Sequence, residues 1–219
     1  MIRGKYLIYV HIPKCAGTFI SAMLRMNSLG EFVGGRGLHV PIRKVNNISV
    51  PVLASIRNPW SWYVSWWAFL KTTTKYSGMK GHPNYFWNSN LKFKEYMKIM
   101  FDDNRNKKLI DKQMLVGNEF EYVFRDMVND DCGFYTLTWK YMTRINGKDA
   151  VDHYFKMENV RKELITYLKL SGKSEKNILN SNAIRTSLHK GYQGYYDTEL
   201  MNLVAHKDRE IINKFDYTF

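Results

Sequence analysis

HIPKCAGT, residues 11–18, lies between two apolar segments, and what it joins decides the fold. Before it, KYLIYVHI (5–12) is a nearly continuous apolar run with β-branched and aromatic members, the pattern of a strand buried on both faces of a parallel sheet. After it, TFISAMLRM (18–26) places Phe19, Ile20, Met23 and Leu24 at helical spacing. The stretch is therefore expected to be a strand–loop–helix turn. Such a turn presents backbone N–H groups without helical partners at the positive end of a helix dipole, and both favour a bound phosphate or sulfate. Ala16 and Gly17 leave room for close approach to the backbone, Lys14 can set a point charge on the ligand, and Thr18 adds a hydroxyl at the helix start. The plainer alternative is an ordinary turn with a solvated lysine.

A second unit of the same kind follows. PVLASI (51–56) is another buried-strand candidate, ending at Arg57-Asn58-Pro59. Asn58 suits an N-cap and Pro59 the first helical position, so a helix is expected to run through WSWYVSWWAFLK (60–71). Ser65 returns to the face of the cap about two turns on. A guanidinium at the strand end and a hydroxyl on that face could grip one phosphate together. Against this stands a capped helix with a surface arginine and a serine bonded back to its own turn.

The rest of the chain reads more coarsely. GEFVGGRG (30–37) is a loop, 72–90 a long surface segment, and HYFKM (153–157) a short strand. Helices are expected over 91–101, 107–115 and 158–170, and one amphipathic helix over 197–215. Alternating strand–loop–helix units argue for an α/β fold, with a central parallel sheet and helices on both faces. Residues 1–219 are read as a single domain in which about 70–150 form a less regular, mainly helical insertion.

Composition narrows the chemistry. Hydrophobic residues make up 45% of 219, enough for a sizeable core. Lys and Arg outnumber Asp and Glu by 33 to 20, giving a formal charge of +13 and pointing to an anionic partner. Cys15 and Cys132 form no CxxC pair and no zinc-like spacing, and no metal ligand set is suggested. A cysteine phosphatase needs an arginine six residues after its nucleophile, and those positions hold Ser21 and Thr138. The apolar run near the start is too short for a signal peptide, and no stretch reaches a membrane span. The expected setting is reducing and cytoplasmic. The pattern G-x-x-x-x-G-K-[ST] occurs nowhere, which disfavours a nucleotide motor or kinase of that type.

The order of HIPKCAGT and SIRNPWSWYVS (55–65) resembles the motif pair of sulfotransferases that use 3′-phosphoadenosine-5′-phosphosulfate. NSNAIRTSLHKGYQGYYDTEL (180–200) and DREIINKFDYTF (208–219) resemble that family's C-terminal segment, so the likeness covers both ends and is loose between about 70 and 150. It implies a P-loop-like α/β sulfotransferase fold, with transfer of a sulfuryl group to a hydroxyl acceptor and no metal. By resemblance, Lys14 and the backbone N–H groups of Cys15, Ala16, Gly17 and Thr18 would hold the 5′-phosphosulfate. Lys14 would also neutralise charge on the leaving phosphate. Arg57 and Ser65 would hold the 3′-phosphate, which persists in the product 3′-phosphoadenosine-5′-phosphate, and Arg185 and Lys190 would add basic contacts to the nucleotide.

His39, in GLHVP (37–41), resembles the histidine of a Thr-His-Leu-Pro stretch that acts as general base in one branch of the family. Glu31 or Glu119 are the alternatives, since other branches use a glutamate, while His11 is expected to pack at the strand end. Tyr192, Tyr195 and Tyr196 are expected to pack the last helix, with stacking on the adenine as the alternative, and the tryptophans of 60–67 are expected to be mostly core, although one ring could line an acceptor site. The acceptor could be a glycan, a lipid headgroup, a small metabolite or a peptide tyrosine, recognised through residues 70–150. The chain departs from the family in Cys15-Ala16-Gly17, where Thr-Gly-Gly or Ser-Gly-Ser is common, and in Trp62, where a second arginine often stands. Two other readings stay open: a basic nucleic-acid-binding module, although no RNP-like, zinc-finger or helix-turn-helix signature is present, and an atypical nucleotide kinase.

Overall fold

The structure is a computed structural model, and it describes residues 1–33, 39–72, 91–104, 129–170, 172–182 and 189–219. They group into two compact units, each made of separate stretches of chain: Met1–Arg57 with Trp139–Thr186, and Asn58–Thr138 with Ser187–Phe219.

The first unit holds a five-stranded mixed sheet. Its strands are β1 (Ile2–Arg3), β2 (Ile8–Val10), β3 (Glu31–Phe32), β4 (Val52–Ile56) and, after a small hairpin, β7 (His153–Lys156). The order is β3-β1-β2-β4-β7. β2, β4 and β7 are parallel, with Val10 opposite Ala54 and Ala54 opposite Tyr154. β1 is antiparallel to both β2 and β3. The expected parallel sheet is thus confined to the centre, and the edge strands are antiparallel. The run at 5–12 is shorter as a strand than expected, because its first residues turn: Gly4 N–H donates to the Leu7 carbonyl, and β1 folds back so that Ile2 faces Tyr9. Tyr6 stands exposed in that turn.

One face of the sheet carries Ile2, Tyr9, Leu53 and Phe155. Against it pack α1 (Gly17–Met26) through Phe19, Ile20, Met23 and Leu24, a helix Val160–Leu168 through Val160 and Leu164, and Ile178 of a helix Gly172–Asn180. The expected helices at 18–26 and 158–170 are therefore present, the second after a short 3₁₀ turn at Met157–Asn159. On the other face Ile8, Val10, Val52, Ala54 and Ile56 are fully buried. There Trp139 donates from Nε1 to the Tyr154 hydroxyl at 2.9 Å, and that hydroxyl donates to Asp149. Asp149 belongs to the hairpin of β5 (Arg144–Ile145) and β6 (Lys148–Asp149). Its turn is Asn146-Gly147, both at positive φ, as a two-residue hairpin of this type requires.

The second unit is helical and aromatic. α2 (Pro59–Thr72) begins where Asn58 and Pro59 were expected to start it, and α3 (Phe93–Met100) falls within the expected 91–101. α4 (Phe134–Thr143) starts in this unit and ends in the first. Trp62 is fully buried, stacked on Tyr135 at 4.5 Å and on Trp66 at 5.2 Å between ring centroids, so the tryptophans of α2 are core as expected. Tyr195 and Tyr196 also pack here, against Trp67 and Phe93, and the Tyr196 hydroxyl donates to the Trp60 carbonyl.

The expected single C-terminal helix is two. With Val160–Leu168 and Gly172–Asn180 numbered α5 and α6, these are α7 (Thr198–Lys207) and α8 (Arg209–Phe215), parted at Asp208. The break has a cause in Asp208, whose carboxylate is fully buried. It accepts from the Tyr63 hydroxyl at 2.7 Å, and from the Thr136 N–H and hydroxyl at 2.9 and 2.7 Å. A side chain on Gly133 would run into that carboxylate, with a Cβ 2.3 Å from its oxygens. Burial raises the Asp208 pKa to about 6, against those hydrogen bonds, which lower it. Among the described residues no helix is long and apolar enough to cross a membrane.

Candidate anion site at the carboxyl end of the sheet

β2 and β4 are adjacent and parallel, so the loop that follows Val10 and the Arg57 that follows Ile56 leave the sheet at the same edge. In open α/β sheets, ligands bind outside this carboxyl edge. The loop's backbone is unusual for its residues: Lys14 and Ala16 both take left-handed φ angles, 62° and 60°. Each costs about 1 kcal/mol or more for a residue with a Cβ. Left-handed Ala16 followed by the right-handed first turn of α1 makes a concave run of N–H groups, the form of backbone that surrounds anions. No side chain caps this helix end. The Cys15 N–H, expected to join the anion set, donates instead to the Ile12 carbonyl at 3.4 Å, and the Cys15 thiol is buried against Pro13.

Gly17 is needed for a different reason from the expected one. A Cβ there would lie 1.9 Å from Cδ2 of His11, so the vacant side-chain position is filled by the imidazole rather than kept for a ligand. His11 is buried as expected, and its ring lies 4.5 Å from that of His39.

Two cations border the loop. Arg57, 8% exposed, donates from a guanidinium nitrogen to the Lys14 carbonyl at 3.3 Å. Lys14 is half-buried, and its ammonium pKa falls to about 8, first through burial and then through the Arg57 charge, with Cys15 pulling the other way. Two like charges brought this close raise the local positive potential, which an anion relieves.

His39 lies near Lys14, is exposed, and meets the His11 ring in a T-shaped contact. Nδ1 is 3.0 Å from the His11 carbonyl. A carbonyl only accepts, so Nδ1 carries the hydrogen and the neutral ring keeps its lone pair on Nε2. Burial lowers the His39 pKa against the pull of that hydrogen bond, and the positive charges of the amino terminus and Lys14 lower it further. The ring is accordingly neutral at pH 7 and able to take a proton at Nε2.

The other sequence candidates scatter. Glu31 is exposed on edge strand β3, opposite Arg3 and paired with Arg25 at 3.0 Å. Arg3 in turn faces Ile8, at the end of β2 away from the loop, so Glu31 is not brought to His39. Ser65 is buried on α2, in the second unit, and Lys190 is exposed in that unit with its N–H donating to the Tyr195 hydroxyl. Glu119 and Arg185 lie outside the described residues.

Sequence reading missed Tyr9 and Ser55, two buried hydroxyls under the loop that looked like ordinary members of apolar strands. Polar residues inside runs otherwise fit for burial are the signal that could have marked them. Compared with protein-family models, curated proteins and solved structures, the chain finds no match in any of the three.

Proposed function

We propose that the protein is a sulfotransferase that takes 3′-phosphoadenosine-5′-phosphosulfate as donor and a hydroxyl group as acceptor. The observation that carries this reading is the joining of Lys14, Arg57 and the uncapped, left-handed entrance of α1 at one carboxyl edge of the sheet, with His39 beside them. The motif order of the sequence supplies the reaction class. The donor brings a sulfuryl group activated by its bond to phosphate, and what remains for the protein is to hold, orient and neutralise.

The residues fit such a ligand. The N–H groups of Ala16, Gly17 and Thr18 would hold its sulfuryl and 5′-phosphate oxygens, and the Lys14 ammonium would offset the charge left on the phosphate. Arg57 would hold the second, 3′-terminal phosphate and so distinguish the donor from ordinary adenine nucleotides. His39 Nε2 would take the acceptor's hydroxyl proton. The proposal rests on residues of the first unit; Ser65 and Lys190 enter it only through the resemblance. The acceptor is assigned no further than a hydroxyl compound.

The test is calorimetric titration of 3′-phosphoadenosine-5′-phosphate into the protein, with AMP and ATP as controls. Selective binding that weakens about a hundredfold in Arg57→Ala is expected, the effect of removing a charged pair to phosphate. Equal binding of ATP would move the reading to a nucleotide kinase, and no nucleotide binding would overturn it.

A further inference from the structure

We infer that Tyr9 and Ser55 are positioning residues of the anion loop: a buried hydroxyl chain that holds one peptide of the loop with its carbonyl inward and its N–H toward the ligand. The inference rests on the sulfotransferase reading for the identity of that ligand.

The chain begins on β2. The Tyr9 hydroxyl lies 2.7 Å from the Ser55 hydroxyl on the adjacent parallel strand β4, and the Ser55 hydroxyl donates to the Cys15 carbonyl. Ser55 gives its hydrogen to that carbonyl, so in the Tyr9–Ser55 pair Tyr9 donates. The direction is therefore fixed: Tyr9 to Ser55 to the loop. Tyr9, Ser55 and Cys15 are all fully buried. A hydrogen bond between buried groups contributes about 0.5–1.5 kcal/mol, which is the hold the chain has on the peptide's orientation.

That orientation matters because peptides among the described residues are all trans. In a trans peptide the N–H points opposite to the C=O. Pulling the Cys15 carbonyl down onto Ser55 turns the Ala16 N–H away from the sheet, into the run of donors at the entrance of α1. Cys15, whose carbonyl is held, stands between two left-handed residues, Lys14 and Ala16, each of which prefers other conformations. An inward anchor offsets that preference. Without it, the peptide can rotate, Ala16 can leave its left-handed state, and the donors stop converging before any ligand arrives. The chain thus acts on affinity through preorganisation. Sequence alone offers no reason for a serine and a tyrosine inside two otherwise apolar strands, and this gives one.

The test is calorimetric affinity for 3′-phosphoadenosine-5′-phosphate in Ser55→Ala, Tyr9→Phe and a control, Tyr154→Phe. The control removes a comparable buried hydroxyl from the neighbouring parallel strand, one bonded to Trp139 and Asp149 rather than to the loop. Thermal unfolding of each variant is recorded alongside. A loss of about tenfold in affinity is expected for Ser55→Ala, which removes the anchor, and about threefold for Tyr9→Phe, which leaves Ser55 bonded to Cys15. Tyr154→Phe is expected to lose stability with affinity unchanged. In the free protein, the Ala16 amide resonance should shift in the first two variants only. If Ser55→Ala does not fold, Tyr9→Phe against Tyr154→Phe decides. Wild-type affinity in both loop variants, or an equal affinity loss in all three, would overturn the positioning role while leaving the donor assignment intact. Absence of binding by the wild-type protein would instead overturn the sulfotransferase reading, and this inference with it.

Discussion

The chain contains two strand-to-helix junctions that look alike in sequence and are built in opposite ways. At the entrance of α1, the residue before the helix is Ala16, left-handed, with no capping side chain. At the entrance of α2, Asn58 accepts from the Ser61 N–H through its side chain, its backbone carbonyl accepts from Trp62, and its amide donates to the Thr218 carbonyl. The second entrance has its donors satisfied from within and a proline where an N–H is not needed. The first is strained and left with donors to offer. Similar motifs can therefore be built for different duties: the α2 entrance is a structural cap, and in the proposed function the anion chemistry is assigned to Arg57 and to the α1 entrance.

The largest expected effect on this contrast is at Gly17. Gly17→Ala places a methyl group into the His11 imidazole and should destabilise the fold by about 2–3 kcal/mol, read as a lower urea midpoint. A neutral outcome would mean that His11 moves aside easily and does not fix the loop.

Next comes pH. Lys14, with a pKa of about 8, is mostly ammonium at pH 7 and mostly amine at pH 9. An anion binds the ammonium better, so affinity for 3′-phosphoadenosine-5′-phosphate should fall about tenfold between those values, while Lys14→Arg should flatten the profile. A flat wild-type profile would remove Lys14 from the site.

At the capped entrance, Asn58→Ala should cost about 1–2 kcal/mol of stability, from the lost cap and the lost bond to Thr218. The smallest effect is a gain. Ala16→Gly relieves the left-handed strain and should raise stability by about 0.5–1 kcal/mol in thermal unfolding, whereas a loss there would argue that the Ala16 methyl group makes contacts worth more than its strain.

How much of this could be read from the chain depends on where the information lies. PVLASI followed by Arg-Asn-Pro announced β4 and the start of α2, because a buried strand and a helix cap both leave local marks. Phe19, Ile20, Met23 and Leu24 announced α1 through a single buried stripe. α4 gave no such stripe: Phe134, Tyr135, Thr136, Leu137, Thr138 and Trp139 are all buried, so no polar face alternates with an apolar one. Asn146-Gly147 did mark its hairpin, a signal absent from the expectations. The break at Asp208 was hidden because its cause, donors on Tyr63 and Thr136, is distant in sequence.

The site divides along the same line. Lys14 and Arg57 were legible as cations at strand ends, and His39 as a histidine between the two motifs. The inward anchor on Cys15 was not, since it depends on Tyr9 facing Ser55 across two parallel strands. Nor was the duty of Gly17, which depends on where the His11 ring folds.

The most direct measurement is the amide map of the labelled protein as 3′-phosphoadenosine-5′-phosphate is added. The largest shifts are expected at Ala16, Gly17 and Thr18, with weaker ones at the capped Ser61 and Trp62. Unmoved resonances at the α1 entrance, with binding seen elsewhere, would contradict the assignment of that loop as the anion site.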